Sequence, residues 1–527
     1  MTTLKSVLRT PLQKIHPGLL VFLVLLLNVK LVVKAVAIGG AMLFGIRSSA
    51  MQPLSEERGL LFYPIVICIG LLDALLYGTI YKAHYGLALL FGSGIWMACF
   101  LASGQVRRFV SRIDKMMIVR TIAVFFILNA IVSFTQLGLI MWETGALNPY
   151  RYQGNFQKYF VNTGDYIKGI SFDTSTTNAA INALGVLFFL QKRSWLLLTT
   201  CLLTLVLTGS NLVNILLLAN LVLLFIFRSG RDLKSVLTLC FLPFVFFWAR
   251  VSPQNSDYVG KLSASLFKGP KQERARTDTA ASKPVLAPSE EEMRMAFARQ
   301  YLDSVGRKII DTRSIASEEK PVLPTDNIHT PPFQHRDDTN AVRRMWFHYV
   351  AETGIRVDSI QASSTVPGKV QAMQQTISFL STHPAKAATG AGPGNFSSKL
   401  AFKTAALGIG GSYPETYRWI DPSFSSNHLA LYLAYFTKQE RLHSVANTPN
   451  SVYDQLAAEY GLAGVFAFAF LYIGFFLRSW RKLTYGLPML LLLCGLFATD
   501  YWFEQISVVV LCELFLFLNL NDKGHEQ

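Results

Sequence analysis

GLLVFLVLLLNVKLVVKAVAIGGAMLF, Gly18–Phe44, is either one long apolar helix or two short ones, and the choice fixes the side of every later loop. A helix that spans a bilayer needs about 20 residues. Lys30 and Lys34 sit where the stretch would break in two. Charge elsewhere settles the matter, because cytoplasmic loops collect Lys and Arg. Twelve apolar blocks occur, near 18–29, 32–47, 59–80, 86–103, 117–141, 174–191, 194–209, 211–227, 233–250, 454–478, 481–499 and 502–520. With Lys5, Arg9 and Lys14 inside and a crossing at every block, the inside loops hold Arg47 and Arg58, then Arg107, Arg108, Arg112 and Lys115. They also hold Lys192 and Arg193, then Arg228, Arg231 and Lys234, then Arg478, Arg481 and Lys482. The short outside turns hold little: Lys82 with His84, Gly209-Ser210, and Asp500 with Glu504. The pattern predicts an all-α polytopic membrane protein with twelve transmembrane helices and both ends cytoplasmic.

The net charge of +16 over 527 residues is therefore mainly an orientation signal. No basic tract interleaved with aromatics argues for nucleic acid. The basic N-terminus lacks a small-residue cleavage site and reads as retained. Cys68, Cys99, Cys201, Cys240, Cys494 and Cys512 all fall in predicted spans. The outside loops then have no cysteine for a disulfide or a thiolate metal site.

Three regions follow. Residues 1–250 carry nine helices, 251–453 form a large periplasmic loop, and 454–527 carry three helices and a short cytoplasmic tail. Within the loop, 269–335 is polar, Pro-punctuated and expected to be flexible. It is interrupted by a helix that Ser289 caps, with Glu290, Glu291 and Glu292 in its first turn. Residues 339–453 read as ordered and mainly helical. GKVQAMQQTISFLSTHP puts Val370, Met373, Ile377 and Leu380 on one helical stripe that Pro384 ends. SSNHLALYLAYFTKQERLH reads as an amphipathic surface segment. A second outside segment, 143–173, contains GISFD, and no internal repeat is visible.

Common catalytic templates are absent. GAGPGNF is not a phosphate-cradling loop, since no Lys-Ser or Lys-Thr follows. There is no HExxH and no GxSxG. His329, His335, His348, His383, His428 and His443 read individually as surface residues.

The order of segments says more. GKVQAMQQTISFLSTHP, then TGAGPGNF, then PNSVYDQLAAEYGLAG at the mouth of a span resembles the O-antigen ligase and polymerase superfamily. GISFDTSTTNAA at the sixth span resembles it more weakly. The resemblance implies a glycosyltransferase of the bacterial inner membrane that uses a polyprenyl-diphosphate-linked glycan. Its other partners would be a glycan or lipid-linked acceptor, membrane lipids and other polysaccharide-assembly proteins. The motifs imply no nucleotide cofactor and no obligatory metal.

At residue level, the family's helix opens on Gly-Arg where this chain has Gly368-Lys369, and the family's Trp is Met373. His383-Pro384 and Gly394-Asn395-Phe396 match. The resemblance assigns Lys369 to the donor diphosphate, with Arg343 or Arg344 supplying the planar guanidinium that Lys lacks. Gly394 and Asn395 belong to the binding set. The family's Tyr-x-Gln and Glu-x-Gly become Tyr453, Gln455, Glu459 and Gly461. Its His-Asn pair becomes Asn450-Ser451, so the imidazole that would activate the acceptor hydroxyl is missing. An amide cannot accept a proton near pH 7.

The base is then expected among Asp454, Glu459 and His443, with Asn450 orienting the hydroxyl. Asp454 is preferred, because Asn450 and Asp454 at i and i+4 share a face if the helix starts early enough. Asp454 and Glu459 lie about 140° apart on an ideal helix, which suggests a structural role for Glu459. The function expected is a polysaccharide polymerase in preference to a ligase. A non-catalytic scaffold or a transporter of lipid-linked glycan is the competing class.

Overall fold

A computed structural model describes residues 15–46, 61–151, 166–227, 230–251, 367–406, 413–429, 431 and 447–521. Ser289, Arg343, Arg344, His443 and the 269–335 stretch lie outside the described residues. The described residues are all-helical, without strands.

Each of the twelve apolar blocks coincides with a helix. Nine precede the large loop: α1 Pro17–Leu26, α2 Leu31–Ile46, α3 Phe62–Leu76, α4 Tyr85–Arg112, α5 Lys115–Thr144, α6 Ser175–Gln191, α7 Trp195–Leu207, α8 Asn211–Phe227 and α9 Arg231–Phe246. Within the loop lie α10 Gly368–Thr382 and α11 Lys399–Thr404. Beyond it come α12 Val452–Ala467, α13 Gly486–Phe497, the short α14 Trp502–Gln505 and α15 Ser507–Asn521. α9 runs on as π-helix through Phe247–Val251, and α12 runs on through Phe468–Ile473 to Gly474–Leu477.

Local chemistry sets several starts. The Asp114 carboxylate accepts from Met117 N at 3.1 Å and Thr174 Oγ1 from Thr177 N at 3.1 Å, each satisfying an orphan donor of a first turn.

Four described helices are long and apolar enough to cross a membrane: Tyr85–Arg112, Lys115–Thr144, Arg231–Val251 and Val452–Leu477. At 28 residues, Tyr85–Arg112 is about 42 Å long, against roughly 30 Å of hydrocarbon. Burial agrees with an apolar surrounding. α15 is buried on every side from Ser507 to Asn519, and α6 nearly so. Outer helices instead present large apolar side chains outward, among them Val32, Leu43, Leu90, Phe227, Phe246 and Phe470. Contiguous apolar surface of that kind needs a partner or a bilayer. This is a helical membrane protein.

The stretch Gly18–Phe44 forms two helices. The chain leaves helical geometry after Leu26, and α1 folds back against α2. Val29 N at the turn donates to Ser171 O at 3.0 Å. Lys34 lies inside α2, buried, with its ammonium on Gln505 O and Ser507 Oγ.

The turns fall into two sets that touch within each set. Turns expected outside meet one another: Tyr77 Oη donates to Ala385 O, Tyr150 Oη to Leu207 O, and Asn148 Nδ2 to Val251 O. Turns expected inside do likewise: Asn521 Nδ2 donates to Val110 O, and Lys192 lies over the Tyr485 ring.

GISFDTSTTNAA is absorbed by architecture. Asn129 Oδ1 accepts from Ile170 N, Gln136 Oε1 accepts from Gly169 N, and Asn178 Nδ2 donates to Ile167 O. Gly169 has φ +60°, and a Cβ there would lie 2.4 Å from Asn129 Oδ1. Asn129 and Gln136 of α5 and Asn178 of the motif fasten the 167–171 turn onto α5 and α6.

Candidate functional site

α10 packs against α12 through the face Gly368, Ala372, Thr376 and Phe379. The stripe expected from the sequence turns outward at Val370 and Ile377, which are exposed. The buried face is the small and polar one, and it carries Thr376 to α12. Gly368 belongs to the same contact, since a Cβ there would lie 2.1 Å from Asn447 O.

α12 starts at Val452 after Ser451 in extended conformation, and it is broken at Gly461, with φ 63° and ψ −162°. Only glycine occupies that region readily. The break lets the segment 388–397 bond into the helix. Ala391 N donates to Ala458 O, Gly392 N to Glu459 O, and Ala463 N to Ala388 O. The glycines of TGAGPGNF make the approach possible: a Cβ on Gly390 would lie 2.3 Å from Glu459 C.

Glu459 closes the clasp. Its carboxylate accepts from Gly394 N at 2.9 Å, Phe396 N at 3.2 Å and Ser397 N at 3.0 Å. A buried acid surrounded by backbone donors can anchor structure. Gly394 and Asn395 take part in the same way. Asn395 Nδ2 donates to Ala391 O, and its Oδ1 accepts from Trp419 Nε1.

The centre of the cluster is Asp454. Its Oδ1 accepts from Thr376 Oγ1 at 2.5 Å and its Oδ2 from Ser397 Oγ at 3.2 Å. The remaining partner is His428, whose Nε2 meets Asp454 Oδ2 in a buried pair. His428 is 0 % exposed, packed edge-on against Phe396. Its Nδ1 has no protein partner among the described residues.

The surface reading of His428 is therefore corrected. His428 follows the Pro422–Ser426 turn of helix and shares its buried side with Phe424 and Leu431. The spacing Phe424, His428, Leu431 is the available signal, which reading 425–443 as an amphipathic surface segment leaves unused. His383 is exposed, as expected.

A second correction concerns Asn450. It precedes α12, so it shares no helix face with Asp454; its Nδ2 points to Asp500 Oδ1 at 3.5 Å. Asp454 and Glu459 diverge on the helix, yet both reach Ser397 from different sides. Tyr453 turns away, its Oη donating to Cys494 O at 2.8 Å. Gln455 Nε2 donates to Glu504 Oε1 at 2.6 Å.

Lys369 is half-buried, and its ammonium meets Asn450 O, Thr448 Oγ1 at 3.5 Å and Thr499 O at 3.2 Å. Three acceptors match the three hydrogens of an ammonium. Burial pushes its pKa down to about 8, against the pull of Asp500 and Asp454. In this arrangement Lys369 ties the entrance of α12 to the α13–α14 turn. Glu504 also accepts from Leu400 N at 3.0 Å. Burial, reinforced by Glu459, pushes its pKa up to about 8, with Lys399 and Lys403 opposing.

Chemically, the cluster offers an imidazole oriented by a carboxylate, beneath a loop whose backbone is fixed. A neutral imidazole giving its Nε2–H to Asp454 presents a lone pair at Nδ1. No family model, curated protein or solved structure matches the chain.

Proposed function

We propose that the protein is a membrane glycosyltransferase, a polysaccharide polymerase in preference to a ligase, acting on a polyprenyl-diphosphate-linked glycan at the outer face of a bacterial inner membrane. In this reading all twelve apolar helices cross the membrane, both termini are cytoplasmic and the 251–453 loop is periplasmic. The observation that supports it most is the buried His428–Asp454 pair. It supplies, from another segment, the imidazole missing at position 450.

In the reaction, His428 Nδ1 takes the proton of an acceptor hydroxyl as its oxygen bonds to the anomeric carbon. The bond from that carbon to the diphosphate oxygen breaks, and the diphosphate leaves with the electron pair. Asp454 holds the ring in the useful tautomer and balances the imidazolium, the role a carboxylate plays behind a histidine base. Thr376 and Ser397 hold Asp454 in turn.

Purified protein in lipid, given polyprenyl-diphosphate glycan and acceptor, should make product. His428→Ala should lower the rate about 10²–10⁴-fold, the usual contribution of a general base. Asp454→Asn should lower it comparably with normal protein abundance. Full activity in both variants would remove the pair from catalysis. The competing transporter class draws on a specific feature, the broken helix with a buried carboxylate beside it, which transporters share. Glycan translocation without new glycosidic bonds would select it.

A further inference from the structure

An apolar cavity of about 330 Å³ lies between α2, α4 and the start of α15, lined by Leu31, Ile38, Leu90, Phe91 and Ile506, with Lys34 as its polar wall. Its rim opens on the apolar outer surface, where Leu31 is 42 % exposed, Phe91 44 % and Leu90 68 %. Water gains few hydrogen bonds in such a slot, whereas a hydrocarbon chain fits its chemistry.

The polar end is distinct. α11 lies beside the slot, since Tyr413 N donates to Lys403 O at 2.9 Å and the Tyr413 ring packs on Phe91 of the lining; Lys34 feels the charges of Lys399 and Lys403. Lys399 and Lys403 are half-buried. Asp173 and Glu504 are the neighbouring acids, and Glu504 keeps its proton to about 8. Three lysines thus meet two acids at the end of a greasy slot, and burial pushes the pKa of one of those acids, Glu504, up.

The slot also adjoins the proposed site. Ile506 follows Gln505, whose Nε2 donates to Asp500 Oδ2, and Glu504 receives Gln455 from α12. Lys369, the residue the sequence favours for the diphosphate, has its hydrogens committed to protein acceptors.

We infer that this cavity holds the chain of a phosphate-bearing polyprenyl lipid, with Lys399 and Lys403 against the phosphate. A linear single chain suits one slot; a two-chain phospholipid would need a second groove. The inference rests on the donor class proposed above and moves the donor's anchor from Lys369 to α2, α4 and α11.

Binding is measured without turnover, by native mass spectrometry of the full-length protein with polyprenyl diphosphate, the matching polyprenol and phosphatidylglycerol. Wild type should retain the diphosphate at least about tenfold better than the other two, the effect of a charge-assisted contact. Gly94 lines the slot, and a Cβ there meets nothing within 4 Å. Gly94→Phe should fill the slot and weaken both prenyl ligands about tenfold without lowering the melting temperature. Lys399→Ala with Lys403→Ala should erase the preference for diphosphate over polyprenol. Unchanged binding in Gly94→Phe, or equal retention of phosphatidylglycerol, would overturn the inference. A protein that binds in this way yet makes no glycosidic bond keeps the lipid site and loses the transferase reading.

Discussion

At the scale of single residues, the same carboxylate chemistry is used for two purposes. Asp454 is held by two hydroxyls and an imidazole, while Glu459 is held by three backbone N–H groups. The sequence displayed both acids and the helix that carries them. It could not display their partners, which come from segments up to 78 residues away. His428 was missed for that reason: its meaning depends on Asp454, not on its neighbours in the chain. Glu504 offers a residue-level test. Its pKa rises from 4.5 to about 8 on burial, so between those values the folded protein binds the proton and the unfolded chain does not. Stability must then fall as pH rises from about 5 to 8, because the unfolded state binds fewer protons there. Thermal unfolding in detergent should show a melting temperature declining across this window. Glu504→Gln, which cannot ionise, should melt lower overall and lose most of that slope; an unchanged slope would assign the pH dependence elsewhere.

At the scale of elements, α12 behaves as two pieces joined by a clasp. Its first turns stand in the sequence as a polar cluster before an apolar run, and the glycines of TGAGPGNF stand there too. Their connection does not, because a helix period carries no mark of where another backbone will bond into it. At Gly461 a loop approaches the helix closely, with Ala388 C 2.6 Å from where a Cβ would stand. Gly461→Ala should therefore cost about 1–3 kcal/mol in backbone strain, with a further penalty for displacing Ala388. Gly138→Ala in α5 is the control, since a Cβ there meets nothing within 4 Å; it should be neutral or up to about 1 kcal/mol stabilising, as for any open helical glycine. Equal melting temperatures for the two variants would show that the clasp contributes nothing to stability.

At the scale of the molecule, the apolar periodicity predicted the helices because burial in lipid imposes the same demand on each of them: every backbone group paired within the element. Among the described residues between α9 and α12, order could be read only where glycines and a helical stripe marked it. The placement of whole ends of the bundle comes from charge, and it is open to direct test. Lys and Arg at the turns 107–115, 192–193, 228–234 and 478–482 predict a cytoplasmic side for those turns. Contacts within each set of turns add a geometric constraint, since Val29 meets Ser171 at one end while Asn521 meets Val110 at the other. One labelled site at each end therefore reports on all of them. Ser381 on α10 and Ser111 on α4 are both exposed. In spheroplasts, Ser381→Cys should react with an impermeant maleimide, whereas Ser111→Cys should react only after lysis. Cys68 is exposed in the helix Phe62–Leu76 and is replaced first, so that it does not contribute. The reverse pattern would invert the bundle, place His428 and Asp454 on the cytoplasmic side and take a periplasmic polymerase with it.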